Sequence, residues 1–261
     1  PDSLELTLEV QHNGKTIRSY SSKKPAKFSS WTGGPPKPEV LPSKKGFNRF
    51  TWDFRKRALP AVDKVFVYGN YAGSRVAPGT YTLKLSLGDA SSETSVRVLP
   101  NPKVKATNED YLDQQTVLDQ IENSIRSIHT SVNQMRSAKS QLKGYATLLK
   151  ENKKAEELLT KGEALLQRIN TWEENLIQPN QKTFQDVINF NNQLNAEFMN
   201  LKNYVDAAEP KVTKGAKERL GDLLGQWKTF EDEKKAIVET EMAAYNLLYK
   251  QLELPAIHLK D

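Results

Sequence analysis

The chain has 261 residues, of which 37% are hydrophobic and 27% are charged, and its formal net charge is +6. No run approaches the roughly 18 apolar residues of a membrane-spanning helix, and the absence of cysteine excludes disulfides, thiolate metal sites and cysteine nucleophiles. Residues 1–105 contain 18 Lys and Arg against 8 Asp and Glu, whereas residues 106–261 contain 20 against 24. Net charges of +10 and −4 predict two domains that attract each other.

Strand patterns dominate residues 1–105. Apolar and polar residues alternate over 4–10, and Asn13-Gly14 predicts a tight hairpin turn into a second strand. Further strands are expected over 47–54, 65–68, 80–87 and 94–98, with Gly88-Asp89 as a turn. The sequence predicts an antiparallel β-sandwich of the immunoglobulin or fibronectin type over 1–105. Because the chain opens at Pro1 without Met or a signal peptide, we expect it to be a piece of a longer protein.

A helical period replaces the strand pattern after Pro100. Thr107 begins a capping-box sequence, and apolar residues then recur at spacings of three and four from Leu118 to Leu149. Three more amphipathic helices are expected: one ends near Pro179, one begins at Thr183, and a long one is stopped by Pro255. Long helices with short connections pack antiparallel, so residues 106–261 are predicted to form a bundle of about four helices.

Groups suited to catalysis are few. The three histidines, at positions 12, 129 and 258, have no metal-ligand spacing, and His129 is expected on the flank of the first helix's apolar stripe. Acidic pairs such as Glu173-Glu174 lie on helices among lysines, which is typical of a solvated face. Gly33-Gly34 and the segment 69–73 lack a phosphate-binding pattern. The sequence therefore predicts no enzyme, no cofactor and no metal site.

Basic and aromatic residues form the best candidate binding surface. The basic clusters are Lys23-Lys24-Lys27, Lys44-Lys45 and Arg55-Lys56-Arg57. They alternate with aromatic residues, and the surface is predicted to consist of Trp31, Tyr68, Tyr71, Arg55 and Arg57. Such a surface can hold an anionic polymer or stack sugar rings. A solvated loop or a face that docks on a neighbouring domain explains the same residues, and we favour these two interpretations; nucleic acid is not expected as a partner.

Two segments carry a recognisable pattern. Residues 45–55 read KGFNRFTWDFR and residues 76–85 read VAPGTYTLKL. Together they resemble the G-x-N-R-F-x-W-D-x-R … P-G-T-Y-x-x-x-L region of large bacterial proteins with sortilin-like, Asp-box propeller repeats, which are commonly labelled glycosyl hydrolases. Segments 131–142 and 243–248 resemble the helical region of the same proteins. The signature residues are Asn48, Arg49, Trp52, Asp53, Pro78, Gly79 and Tyr81.

The resemblance implies an immunoglobulin-like domain and a helical region that follow an N-terminal propeller of the same parent chain. It also implies an exported protein, periplasmic or secreted. No Asp-box sequence occurs here, so no catalytic residue is transferred. From the residues themselves, Pro78-Gly79 is expected to set a turn with Gly at positive φ, Asn48 and Asp53 to hold loops, and Trp52 and Tyr81 to lie in the core.

Three functions are compatible with this pattern. The first is a non-catalytic C-terminal accessory module of a larger exported propeller protein, acting as a spacer, docking or oligomerisation element. The second is a carbohydrate-binding module that uses Trp31, Tyr68 and Tyr71. The third is a helical protein that binds a partner through exposed apolar residues of the bundle. The partner in this case would be another protein and not a polysaccharide.

Overall fold

The computed structural model describes residues 4–25 and 28–254. A four-stranded antiparallel sheet comes first and helices follow, so the predicted order of β and then α structure is confirmed. The strands are β1 (Leu6–His12), β2 (Lys15–Ser21), β3 (Gly79–Leu87) and β4 (Ala90–Val98), and they lie in the order β2-β1-β3-β4. Lys27, Pro255 and His258, to which the sequence patterns gave roles, lie outside the described residues.

Both hairpin turns fall where the sequence predicts them. Asn13 and Gly14 connect β1 to β2 with φ angles of 50° and 73°, which suits a two-residue hairpin loop of type I′. Gly88, at φ 56°, begins the loop between β3 and β4. The expectation for Gly79 was wrong, because this glycine does not have positive φ and instead begins β3.

The segments 47–54 and 65–68, predicted as strands, contain no strand in the part of the chain that the structure describes. A residue with left-handed backbone borders each segment: Phe54 ends the first and Lys64 directly precedes the second. Both have φ 57°, which a β-strand does not accommodate. Arg55 makes only an isolated bridge with Arg75. Phe50 and Trp52 nevertheless lie over the apolar face of the sheet, so their pattern is that of a covering layer.

In the described part of the chain, five α-helices follow the sheet: α1 (Asn108–Leu149), α2 (Glu156–Glu174), α3 (Leu194–Val205), α4 (Lys214–Ala236) and α5 (Ala243–Gln251). A π-helical turn, Ile237–Met242, joins α4 to α5 in one continuous rod. The 42 residues of α1 make a helix about 63 Å long, at about 1.5 Å per residue. The predicted capping box is confirmed, since the Thr107 hydroxyl accepts from the Asp110 N–H and the Asp110 carboxylate accepts from the Thr107 N–H.

The third helix begins eleven residues later than Thr183, the predicted cap. Asp186 accepts hydrogen bonds from the backbone N–H groups of Lys182 and Thr183 at 2.6 and 2.8 Å, so this stretch forms a side-chain-capped turn. A single 3₁₀ turn, Asp186–Ile188, follows, and α3 starts only at Leu194. Local bonding by the Asp186 side chain therefore replaces the first turns of the expected helix.

The residues that the structure describes form two hydrophobic cores, and the larger one crosses the predicted boundary at residue 105. The smaller core lies on the sheet and includes Val10, Tyr20, Trp52 and Tyr81. The larger core fills the space between the helices and also takes in residues from the first part of the chain, namely Leu59, Val62, Val65, Val67 and Tyr71. No helix in the described ranges is long and apolar enough to cross a membrane.

Candidate functional site: the seam between the sheet and the helices

A stripe of polar side chains runs along α1. Seven polar residues recur at alternating spacings of four and three, and each hydrogen-bonds or ion-pairs with segment 55–75: Gln115, Asp119, Glu122, Arg126, His129, Asn133 and Arg136. Such spacing places side chains on one helix face. We call this stripe together with segment 55–75, Lys202 and Asp206 the seam.

The C-terminal half of the stripe binds backbone carbonyl oxygens. The side chains of Arg126, His129, Asn133 and Arg136 contact the carbonyl oxygens of residues 57, 58, 60, 61 and 63 at 2.7–2.9 Å. Backbone carbonyl oxygens without a strand partner need other donors, and here helix side chains supply them. Segment 55–63 is therefore held in an irregular, extended conformation by α1.

Buried charges lie beside the N-terminal half of the stripe. Lys202 is 1% exposed, and its ammonium group donates to the carbonyl oxygens of Asn70, at 3.0 Å, and Ala72. Burial lowers the pKa of Lys202, and the nearby carboxylates of Glu122 and Asp206 oppose that shift. The Lys202 ammonium therefore bridges α3 to the first part of the chain.

Both of those carboxylates are themselves occupied. Glu122, which is buried, accepts from the Ser74 backbone N–H at 2.5 Å. Asp206 accepts from the Arg55 guanidinium at 2.8 Å and from the Arg75 N–H at 2.9 Å. The ion pair between Arg55 and Asp206 joins the basic part to the acidic part, as the division of charge predicted.

His129 lies at the centre of the seam, completely buried, and not on the flank of the apolar stripe. Its Nδ1 is 2.7 Å from the Pro60 carbonyl oxygen, and its Nε2 is 3.2 Å from the Asn195 side-chain amide nitrogen. Burial lowers the pKa of His129 to about 4, against the effect of the Pro60 hydrogen bond. The ring is neutral at pH 7, with Nδ1–H donating to Pro60, and serves to fix the loop.

A cleft of about 520 Å³ opens beside the seam, between β2, the proline-rich loop 35–39 and segment 53–61. We call it the Arg18 cleft. The Arg18 guanidinium lies 4.9 Å from the Tyr20 ring centroid, and its Nη1 donates to the Lys56 carbonyl oxygen at 3.1 Å. In the described residues, Arg18 Nε and Tyr20 Oη are buried without a hydrogen-bond partner. The charged residues of the lining are Arg18, Lys37, Glu39, Asp53, Arg55 and Arg57.

The predicted aromatic surface is not assembled as an open face. Tyr71 is only 2% exposed and packs in the helical core, so it has no ring face for a sugar. The Trp31 indole N–H donates to the Val65 carbonyl oxygen at 2.8 Å. Tyr68 is half exposed and contacts the Phe184 ring edge-on. Of the two predicted arginines, Arg55 is bound within the seam, and Arg57 is exposed at the Arg18 cleft.

The signature residues mostly build the fold. Asn48 holds its loop by accepting from the Lys44 N–H and donating to the Lys44 carbonyl; Asp53 accepts from the Arg55 N–H at 3.1 Å. Both predicted loop contacts are confirmed. Arg49 is exposed, and Pro78 directly precedes β3.

The core positions of Trp52 and Tyr81 are also confirmed. The Trp52 indole N–H donates to the Arg55 carbonyl at 3.0 Å, and the Tyr81 hydroxyl donates to the Ala77 carbonyl at 2.6 Å. These bonds anchor Tyr81 on the sheet and Trp52 in the layer that covers it, and the Trp52 bond lies directly next to the seam.

Sequence reasoning did not single out Arg18, Tyr20, Glu122, Lys202 or Asp206. In residues 4–25 and 28–254, no group of three or more His, Asp or Glu side chains is arranged to hold a metal ion. Comparison of the chain with protein-family models, with curated proteins and with solved structures gave no match.

Proposed function

We propose that the chain is a non-catalytic structural module, in which the sheet and the helices form one rigid body that serves as a spacer or docking element. In line with the sequence resemblance, the module would be the C-terminal accessory part of a larger exported protein, periplasmic or secreted, with an N-terminal propeller as its partner. The observation that carries the proposal is the seam, in which seven polar side chains of α1 bind segment 55–75 of the first part of the chain.

The seam supports rigidity for an energetic reason. A hydrogen bond that involves a charged group contributes about 1.5–3 kcal/mol, and a buried group that loses its partner costs about as much again. A hinge between segment 55–75 and the helices would break several such bonds together, including those of Glu122 on α1 and Lys202 on α3. Bending is therefore far more costly than motion as one body.

The finer architecture is part of the same proposal. Phe50 and Trp52 cover the apolar face of the four-stranded sheet, as the second layer of an immunoglobulin- or fibronectin-like sandwich does. The four helical rods, α1, α2, α3 and the continuous α4–α5, share one core, as in a four-helix bundle. A rod about 63 Å long suits a spacer, since it sets a fixed distance between two ends.

Unfolding measured separately in the two halves tests rigidity. The chain has four tryptophans; a variant that retains only Trp52 reports on the sheet core, and one that retains only Trp172 reports on the helical core. In each variant, urea denaturation should give a fluorescence transition that coincides with the far-UV circular dichroism transition of the same variant. Two transitions at separate urea concentrations would contradict a single rigid body.

The size of the native protein tests the accessory role. An antibody raised against this chain should detect, in the organism that encodes it, a band far above the 29.5 kDa of the chain itself. A band near 29.5 kDa would rule out the larger parent protein while leaving the rigid body intact.

A further inference from the structure

The Arg18 cleft has the features of a ligand site, and they are independent of the spacer role. We propose that it binds a small carboxylate that also carries hydroxyl or ammonium groups, with the free edge of the Arg18 guanidinium holding the carboxylate. Its volume of about 520 Å³ falls in the range of roughly 300–1,000 Å³ that is usual for small-molecule sites.

The orientation of Arg18 defines the binding group. Its Nη1 donates to the Lys56 carbonyl oxygen, and the guanidinium itself stands over the Tyr20 ring, so the guanidinium is fixed in place before any ligand arrives. Its Nε is buried without a partner. The edge formed by Nε and Nη2 carries two parallel N–H donors, whose spacing matches the two oxygens of a carboxylate.

Tyr20 supplies a second donor. The residue is 4% exposed, and its hydroxyl also has no hydrogen-bond partner among the described residues. Burial raises the pKa of Tyr20, so the hydroxyl remains protonated at pH 7. The charges that act on this hydroxyl belong to Arg18, Asp53 and Glu39, which all line the cleft. The Tyr20 hydroxyl therefore lies near the Arg18 guanidinium, and we expect it to donate to an oxygen of a ligand bound there.

The remaining charges favour a monoanion over phosphate. Arg55 is neutralised by Asp206, which leaves Arg18, Lys37 and Arg57 against the carboxylates of Glu39 and Asp53. These three cations and two carboxylates leave one net positive charge, which a single carboxylate neutralises. Glu39 and Asp53 can also accept hydrogen bonds from hydroxyl or ammonium groups. The proline-rich wall adds apolar surface. The cleft is thus complementary to a carboxylate with donors on its body.

Calorimetric titration of the full chain tests this site with four probes. Glucuronate offers a carboxylate with hydroxyl groups, and glycylglycine offers a carboxylate with an ammonium group; glucose and inorganic phosphate serve as controls. We expect binding of glucuronate or of glycylglycine, the stronger of the two identifying a sugar acid or a peptide-like source. Neither control should bind comparably. Failure of both carboxylates to bind at millimolar concentration, or tighter binding of phosphate, would overturn the proposal.

Two variants locate the binding. Arg18→Lys keeps the charge and removes the two-pronged edge, and it should weaken binding about tenfold or more; Tyr20→Phe keeps the ring and removes only the hydroxyl, and it should weaken binding about threefold or more. Arg97→Lys, an exposed position on β4, is the matched control and should leave affinity unchanged. If Arg18→Lys does not fold, Tyr20→Phe decides the matter. Unchanged affinity in the folded variants would show that the ligand lies elsewhere.

Discussion

The buried imidazole of His129 makes the stability of the seam depend on pH. An unfolded chain exposes this ring, whose pKa is then about 6.5, whereas burial lowers the pKa to about 4 in the folded protein. Between these two values the unfolded chain binds a proton that the folded chain does not. The stabilisation is therefore fully present above pH 6.5 and is lost as the pH falls towards 4.

The size of the effect follows from the same two values. Each unit of pKa difference corresponds to about 1.4 kcal/mol, and at pH 5 most of the titration of the unfolded chain is complete. We expect the free energy of unfolding to fall by about 2 kcal/mol between pH 7.5 and pH 5 through His129 alone. Carboxylates that titrate near pH 4 add their own loss, so the comparison needs variants at each pH.

Urea denaturation at pH 7.5, 6.5 and 5.0, followed by tryptophan fluorescence, measures this. His129→Gln should be less stable than the wild type at pH 7.5, because the imidazole bonds are altered, but should lose about 2 kcal/mol less on acidification. Asn133→Ala is the matched control, since Asn133 donates to the Ala61 carbonyl from the next position of the stripe and does not titrate. It should lower stability equally at every pH. The same pH dependence in wild type and His129→Gln would refute the reasoning.

Five further substitutions, two of them controls, probe the seam and α1 through the shift of the urea midpoint. A Cβ at Gly73 would lie 2.3 Å from a backbone carbonyl oxygen, so Gly73→Ala should cost about 1–3 kcal/mol or more, whereas Gly144→Ala, in open space, should stabilise α1 by about 0.5–1 kcal/mol; equal effects would contradict the packing. Lys202→Met should cost about 1–3 kcal/mol because it leaves the carbonyl oxygens of Asn70 and Ala72 without their donor, and an unchanged midpoint would contradict that role. Thr107→Ala should cost about 1 kcal/mol through the lost cap, while Thr116→Ala, exposed on the same helix, should cost less than half of that.

The sequence predicts local structure correctly where residues close together in the chain determine it. The Asn13-Gly14 turn and the Thr107 cap each involve residues within a few positions, so their geometry is encoded in a short segment. The apolar stripe of α1 was likewise visible, because six of its members, from Leu118 to Met135, repeat at three and four.

The seam was missed for a physical reason that the same helix illustrates. Most members of the polar stripe directly follow members of the apolar stripe, as Glu122 follows Ile121 and His129 follows Ile128. A shift of one residue turns the side chain by about 100° around the helix axis, so the two stripes face different neighbours. Polar residues beside an apolar stripe usually lie in solvent, and only the docked segment shows that these do not.

The Arg18 cleft could not be predicted for a related reason. Its lining comes from β2, the loop 35–39 and segment 53–61, and nothing local in the sequence relates these stretches. The pattern over 47–54 indicated a strand, whereas the left-handed residue Phe54 turns the chain away from the sheet. That turn creates both the covering layer and the cleft, and it depends on packing between distant residues.

The distances along the chain that the seam spans also determine when the protein can finish folding. Arg55 and Asp206 are separated by 151 residues, and Asn70 and Lys202 by 132. Contacts of such high sequence separation form slowly because a long loop must close first. During synthesis, the apolar side chains of segment 59–71 must wait for α3 to leave the ribosome before their core is complete, so the nascent chain depends on protection against aggregation until its last third has been made.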